Sequence, residues 1–106
     1  MINKINLFKL SDGKSSFVYK VELGDNVKNI AEKYQTTPMV IIRINNLKRE
    51  VEVGEFILIE KLFGIEYVVK PKDTIESIAK QFGCSAITLM TNNMTDFIFV
   101  GQKIYV

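Results

Sequence analysis

Hydrophobic and polar positions recur in the same order along the two halves of the chain. Tyr19 and Tyr67 open the repeat and lie 48 positions apart, whereas Gly54 and Gly101 near its end lie 47 apart, so the second copy is one residue shorter. The landmarks of the first copy are Tyr19, Val21, Asp25, Ile30, Ala31, Tyr34, Asn45, Asn46, Leu47 and Gly54. Those of the second copy are Tyr67, Val69, Asp73, Ile78, Ala79, Phe82, Asn92, Asn93, Met94 and Gly101. A period this short predicts two copies of one small module rather than a single enzyme core.

Each copy is predicted to run strand, helix, helix, strand. Tyr19 and Val21 alternate on one face of a first strand, and the last strands are predicted over residues 56–59 and 103–106. The first helix carries an apolar stripe at positions i, i+3, i+4 and i+7. This stripe consists of Val27, Ile30, Ala31 and Tyr34 in the first copy and of Ile75, Ile78, Ala79 and Phe82 in the second.

Small polar residues mark where the helices begin and end. Asp25 and Asp73 precede the first helices, so both are predicted to cap them, and residues 73–76 have the pattern of a capping box. The Asn-Asn steps are predicted to end the second helices. Aligning Asn45-Asn46 with Asn92-Asn93 gives a spacing of 47, so the residue that the second copy lacks is predicted to lie before this step. The second helices are predicted to start at Thr37 and Ser85 and to bury Ile41, Ile44 and Leu89.

The repeat divides the chain into four segments. Residues 17–60 and 65–106 are the modules, and residues 1–16 form a leader, which is either an extra strand over residues 5–10 with a turn at residues 11–14 or a disordered segment. Residues 61–64 form a short apolar linker rather than a flexible tether, so the modules are predicted to touch, with Leu62 or Phe63 between them.

Charge argues against a polyanionic partner. The net charge is +2, but residues 17–61 carry seven basic and seven acidic side chains, and residues 64–106 carry four of each. Neither module therefore offers the concentrated positive field that nucleic acid requires. No stretch is long and apolar enough to predict a membrane span, and no export signal is visible, so these features leave the location of the protein open.

The residues that catalysis needs are missing from the sequence. There is no histidine, so histidine-based nucleophilic pairs and metal sites are excluded, and no metal or other cofactor is expected. Glycoside hydrolysis needs two carboxylates across one sugar, and neither Asp25 nor Asp73 has a second acid placed beside it. Cys84, the single cysteine, is interpreted as a packing thiol. The chain is therefore predicted not to be an enzyme.

The ordered set of elements resembles the LysM (lysin motif) module, twice over. The set consists of Tyr-x-Val, an aspartate turn, Ile-Ala-x-x-Tyr/Phe, an Asn-Asn step and a glycine before the last strand. The resemblance implies an α+β fold of two tandem βααβ modules, each with two helices packed on a two-stranded antiparallel sheet. It also implies non-catalytic binding of glycans built on N-acetylglucosamine, mainly peptidoglycan and chitin, in a groove between the loop after the first strand and the loop before the last.

The resemblance places the groove walls on particular residues. In the first copy they are Gly24, Asp25, Asn26, Val27, Asn46, Leu47, Val51 and Val53. In the second copy they are Lys72, Asp73, Thr74, Ile75, Met94, Asp96, Phe97 and Ile98. Backbone N–H and C=O groups there suit a neutral acetamido sugar, and Val27 or Ile75 offers an apolar place for its methyl group. Phe97 is equally well interpreted as a ligand contact or as a packing residue.

One departure from the family pattern concerns Lys72, which stands where glycine is usual. A lysine there is expected either to be strained or to change the shape of the loop, so the second groove is predicted to be the weaker.

Three functions are consistent with this sequence. The first is binding of peptidoglycan or an N-acetylglucosamine oligomer. The second is a structural role in a spore coat or phage-tail-like particle, with a protein partner. The third is the targeting region of a cell-wall hydrolase.

Overall fold

The computed structural model describes residues 16–106, which divide into two compact units between Leu62 and Phe63. Residues up to Leu62 are called unit 1, and residues from Phe63 onward are called unit 2. The strand and turn predicted within residues 5–14 lie outside the described residues. The finer boundaries of the segments and the contact predicted between the modules stay predictions.

Each unit has the element order β, α, α, β. Unit 1 contains β1 (Ser16–Lys20), α1 (Val27–Lys33), α2 (Pro38–Asn45) and β2 (Phe56–Glu60). Unit 2 contains β3 (Glu66–Val68), α3 (Ile75–Gln81), α4 (Ala86–Asn93) and β4 (Lys103–Tyr105). Strands β1 and β2 pair antiparallel, as do β3 and β4, so each unit has its own two-stranded sheet. The predicted α+β fold of two βααβ modules is therefore confirmed.

The helix stripes predicted from the sequence form the cores. In unit 1, Ile30 and Ala31 are each 1% exposed and pack with Tyr19 and Val21 of the first strand. In unit 2 the equivalent cluster consists of Val69, Ile78, Ala79, Leu89 and Ile104. The last aromatic position of each stripe is half-buried and meets the strand tyrosine edge to face, with ring centroids 5.2 Å apart for Tyr19–Tyr34 and 5.3 Å apart for Tyr67–Phe82.

The caps of the first helices differ from the prediction by one residue. Asn26 caps α1, because its side chain accepts a hydrogen bond from the Asn29 N–H at 2.8 Å, and Thr74 caps α3 through a capping box with Ser77. Asp25 and Asp73 are not caps, because their carboxylates turn back toward the strand. The prediction of a capping box over residues 73–76 was therefore wrong, whereas the predicted starts at Thr37 and Ser85 are confirmed as caps of α2 and α4.

Asn45 and Asn93 join the end of the second helix to the last strand in each unit. The Asn93 amide donates to the carbonyls of Leu89 and Tyr105, at 2.9 and 2.8 Å, and its oxygen accepts from the Tyr105 N–H at 2.8 Å. Asn45 makes the same three bonds in unit 1, to Ile41 and Leu58. The second helices end at these residues, as predicted.

This equivalence corrects the alignment of the two copies. Asn45 corresponds to Asn93 and not to Asn92, so the 48-residue spacing continues through both helices. The missing residue must fall later, in the loop that leads to Gly54 in unit 1 and to Gly101 in unit 2. That loop was predicted as the second wall of the groove, so the two units differ in length where a ligand is expected.

Candidate functional site

Two loops meet at the same end of each unit. In unit 1 the Gly54 N–H donates to the Val21 carbonyl and the Val21 N–H donates to the Glu55 carbonyl, both at 2.8 Å. In unit 2 the Gly101 N–H donates to the Val69 carbonyl at 2.8 Å, and the Val69 N–H donates to Gln102 at 2.9 Å. The loop after the first strand is thereby fixed beside the loop before the last strand in both units.

The aspartates of the first loop hold the turn and a tyrosine together. Asp25 Oδ2 accepts the Tyr19 hydroxyl at 2.5 Å and the Glu22 N–H at 2.8 Å, and Asp73 Oδ2 accepts the Tyr67 hydroxyl at 2.6 Å and the Lys70 N–H at 2.7 Å. The bond from the tyrosine, followed by the bond from the backbone N–H, lowers the pKa of each aspartate carboxyl. The same bond to the aspartate raises the pKa of each tyrosine hydroxyl. Both aspartates are therefore structural parts of the loop.

The lowered pKa values predict how acid affects these loops. A carboxyl whose pKa is lower in the folded state stabilises that state above its unfolded pKa, about 3.9 for aspartate, and loses this contribution as pH falls through the folded value. Carbon-13 titration of the carboxyl groups should place both midpoints below about 3.9. Tyr19→Phe should raise the Asp25 midpoint and leave that of Asp73 unchanged. An unchanged Asp25 midpoint would mean that the tyrosine is not the main cause.

Lys72 keeps the loop shape that glycine gives in unit 1. Its φ is +74°, in the left-handed region, and that of Gly24 is +90°. The turn hydrogen bonds also match, since the Asp25 N–H reaches the Glu22 carbonyl at 3.0 Å and the Asp73 N–H reaches that of Lys70 at 3.1 Å. Of the two predicted outcomes, strain with the loop retained is the one observed.

Exchanging these two residues should move stability in opposite directions. Lys72→Gly is expected to stabilise unit 2 by about 0.5 to 1 kcal/mol. The substitution removes a strain of roughly 1–2 kcal/mol for a side chain in the left-handed region, but glycine also increases the conformational entropy of the unfolded chain, which offsets part of this effect. Gly24→Lys is the reciprocal control and should destabilise unit 1 by about 1 kcal/mol. A Cβ at Gly24 meets no atom within 4 Å, so no clash confuses the comparison. Amide hydrogen exchange measures both units, and equal signs for the two changes would contradict the strain argument.

The remaining wall residues divide into packed and exposed groups. The side chains of Asn26, Val27, Leu47, Val51, Ile75, Met94 and Ile98 are buried or half-buried. Those of Asn46, Val53, Thr74, Asp96 and Phe97 are exposed. Phe97 is 48% exposed, and its neighbour Ile98 packs against the core of unit 2. Cys84 also packs against this core. In the loop before the last strand, Val51 and Ile98 therefore pack inward, whereas Val53 is 62% exposed.

A glutamate that the sequence did not single out lies between the two loops of unit 1. Glu50 Oε2 accepts the Val27 N–H at 2.7 Å and the Val51 N–H at 3.1 Å. Val27 begins α1 and Val51 belongs to the opposite wall, so two backbone donors from two loops converge on one oxygen atom. The change in repeat spacing from 48 to 47 was the sequence signal that this loop differs between the copies.

The same pair of backbone donors is open in unit 2. Ile75 and Ile98 correspond to Val27 and Val51, and within residues 16–106 neither of their N–H groups has a hydrogen-bond partner. Both side chains line a shallow depression of about 180 Å³, including open solvent at its mouth. The other residues that line it are Leu89, Met90, Asn93, Thr95 and Ile104. This site can therefore offer two donors beside an apolar surface.

Neither a metal-binding cluster nor a membrane-spanning helix is found among residues 16–106. In the described part of the chain, no three histidine, cysteine or acidic side chains are grouped so that they could hold a metal ion. None of the helices within residues 16–106 is both long and apolar enough to cross a membrane. The groups that converge between the loops include backbone N–H donors, which can bind an oxygen acceptor of a ligand.

Comparison with known proteins gives a family for both units. The family model of the LysM domain matches residues 19–59 and 67–106. The endolysin of Bacillus phage PZA is 32% identical over 101 residues, which cover 89% of this chain and 39% of the endolysin. The N-acetylmuramoyl-L-alanine amidase sle1 of Staphylococcus epidermidis RP62A is 31% identical over 109 residues, with coverage of 87% and 34%. The chain thus spans about a third of the length of the curated relatives that it matches.

A solved structure also matches. The spore cortex-lytic enzyme SleL of Bacillus cereus is 28% identical, with a TM-score of 0.43, over 87% of this chain and 22% of that one. The two matched segments, 19–59 and 67–106, take up nearly all of the described residues, and the lytic relatives are matched over only 39% and 34% of their own length. The stretch of chain described here is therefore a non-catalytic binding region, and it belongs to the LysM family as two tandem copies of the module.

Proposed function

We propose that this chain binds the N-acetylglucosamine-containing glycan of bacterial peptidoglycan in the grooves between its paired loops. The observation that carries the proposal is the pair of converging backbone donors. In unit 1 one oxygen atom accepts from both Val27 and Val51 at hydrogen-bond distance, which supports an acetyl carbonyl oxygen as a ligand of the same two donors. In unit 2 the corresponding donors of Ile75 and Ile98 have no partner among the described residues.

The surroundings suit the rest of an acetamido group. The depression beside Ile75 and Ile98 is lined mainly by aliphatic residues, which suit contact with the acetyl methyl better than polar residues would. The two modules carry balanced numbers of basic and acidic side chains, which suits a neutral partner better than a polyanion. A site without charge pairing is weak by itself, and two sites that engage one polymer gain through effective concentration.

Peptidoglycan is favoured over chitin by the relatives. One relative is named as an endolysin, and another is an amidase whose name specifies N-acetylmuramoyl-L-alanine, an acetylated amino sugar joined to an amino acid. The same names favour a second role, in which this region holds a lytic domain of a longer protein against its substrate. The names of these relatives do not favour the structural role with a protein partner, which stays a prediction.

Co-sedimentation tests the proposal. The protein is incubated with insoluble peptidoglycan, and in parallel with chitin, at salt concentrations from about 20 mM to 1 M, and then centrifuged. It should pellet with peptidoglycan at every salt concentration, because screening does not weaken bonds between neutral groups in the way that it weakens ion pairs. Cellulose, a polymer without acetamido groups, is the control and should leave the protein in solution. Protein that stays in the supernatant with all three polymers would contradict the proposal and favour the assembly role.

A further inference from the structure

We infer that Glu50 occupies the groove of unit 1 from within, so that unit 2 carries the principal glycan site. The inference rests on the proposed function and adds a residue that sets the affinity of one groove. It also reverses the expectation from the sequence, which placed the weaker groove in unit 2 on account of Lys72.

The Glu50 carboxylate competes directly for the donors that a sugar needs. Its Oε2 atom accepts from Val27 at 2.7 Å and from Val51 at 3.1 Å. Hydrogen bonds to an ionised acceptor are stronger than those to a neutral carbonyl. An acetyl oxygen must therefore displace a better acceptor before it can bind in unit 1.

The backbone at Glu50 is held in place by the residue before it. The Arg49 guanidinium donates to the Glu50 carbonyl at 2.7 Å and to the two carboxylate oxygens of Glu55 at 3.2 and 2.9 Å. These contacts hold the loop in the position from which the Glu50 side chain reaches both donors. The Glu50 side chain is itself exposed, so it can swing into water, and its effect is a competition rather than a permanent block.

Unit 2 has neither of these two residues. Its loop is one residue shorter, which removes the counterpart of Arg49, and Phe97 takes the position of Glu50. Phenylalanine has no acceptor, and within residues 16–106 the neighbouring Asp96 carboxylate accepts from neither the Ile75 nor the Ile98 N–H. Lys72 does not impair the first wall, because the turn retains the hydrogen bonds of Asp73 to Lys70. Within residues 16–106, no side chain therefore competes with a ligand for the donors of Ile75 and Ile98.

The test is a titration of the full chain with an N-acetylglucosamine oligomer, followed amide by amide in NMR. The amide chemical shifts of Val27 and Val51 give the Kd of unit 1, and those of Ile75 and Ile98 give the Kd of unit 2. Four proteins are compared, namely wild type, Glu50→Ala, Glu50→Gln and Glu52→Ala. Glu52→Ala is the matched control, since it removes the same charge from the same loop, and among the described residues the Glu52 side chain accepts no backbone N–H and meets only Arg49, at 3.9 Å.

The wild type should bind through unit 2 with a Kd about tenfold lower than through unit 1. Glu50→Ala should lower the Kd of unit 1 about tenfold and leave unit 2 unchanged. Glu50→Gln, whose amide oxygen is a weaker acceptor, should give a smaller gain, and Glu52→Ala should change neither unit.

Tighter or equal binding by unit 1 in the wild type would overturn the inference while leaving the proposed function intact. So would weaker binding by unit 1 in Glu50→Ala, because Glu50 would then be a ligand contact. Glu50→Gln serves as the decisive variant if the alanine variant loses the dispersed spectrum of unit 1. An absence of ligand-induced shifts from both units in all four proteins would overturn the proposed function and this inference together.

Discussion

Asn93→Ala is expected to lower the free energy of unfolding of unit 2 by about 3 kcal/mol. The Asn93 side chain is 2% exposed and makes three hydrogen bonds, two to β4 and one to its own helix. Alanine removes all three and leaves the Tyr105 N–H and two carbonyls buried without these partners, which costs more than the net value of the bonds themselves. A unit of this size has a total stability of roughly 2 to 7 kcal/mol, so the change removes a large part of it.

Amide hydrogen exchange is the appropriate measurement, because it reports opening of each unit separately. Protection in unit 2 should fall by about two orders of magnitude, while protection in unit 1 serves as an internal reference. Asn92→Ala is the matched control, since Asn92 stands next to Asn93 in α4 and is exposed. Equal effects of the two substitutions would show that the asparagine bridge does not stabilise the fold.

Ile78→Ala is expected to lower the stability of unit 2 by about 3 to 4 kcal/mol. Ile78 is fully buried, at 0% exposure, in the cluster formed with Val69, Ala79, Leu89 and Ile104. The loss combines the transfer free energy of the removed methyl and methylene groups with the cavity left in a core too small to close over it. Because this core supports the residues beside the groove, glycan binding by unit 2 should weaken with its stability.

Ile87→Ala provides the control, since Ile87 is 71% exposed in the same unit. Chemical denaturation followed by the NMR intensities of each unit should show a clear decrease in midpoint for Ile78→Ala and a change within about 0.5 kcal/mol for Ile87→Ala. Similar midpoints for the two variants would mean that the cluster around Ile78 is not the main source of stability.

The fold was predictable because the core depends on periodicity. The helix stripes that end at Tyr34 and Phe82 are spaced for one face of a helix. Because the same spacing occurs in both copies, each copy supports the helix predicted in the other. The caps were less predictable, since aspartate, asparagine and threonine all suit a helix start and Asp25 is followed by Asn26. A hydrogen bond to Tyr19, six residues away, decided which of them turns toward the strand.

The alignment of the copies and the details of the groove depended on contacts between distant residues. Two adjacent asparagines in each copy made the sequence ambiguous by one position, and only the bond from Asn93 to Tyr105 identifies the equivalent residue. Glu50 was missed because a lone glutamate in a loop has no local signal, and its partner Val27 lies 23 residues earlier. For Lys72 the sequence predicted two outcomes, strain or a changed loop, and only its observed φ of +74° decides between them.

The central claim is that the grooves recognise an uncharged acetamido sugar through backbone donors. Isothermal titration calorimetry with two oligomers of the same length, one of N-acetylglucosamine and one of glucosamine without acetyl groups, tests it most directly. The account predicts measurable binding of the acetylated oligomer that changes little with salt, and no detectable binding of the deacetylated one. Equal affinity for both oligomers, or a preference for the charged one that disappears at high salt, would contradict it.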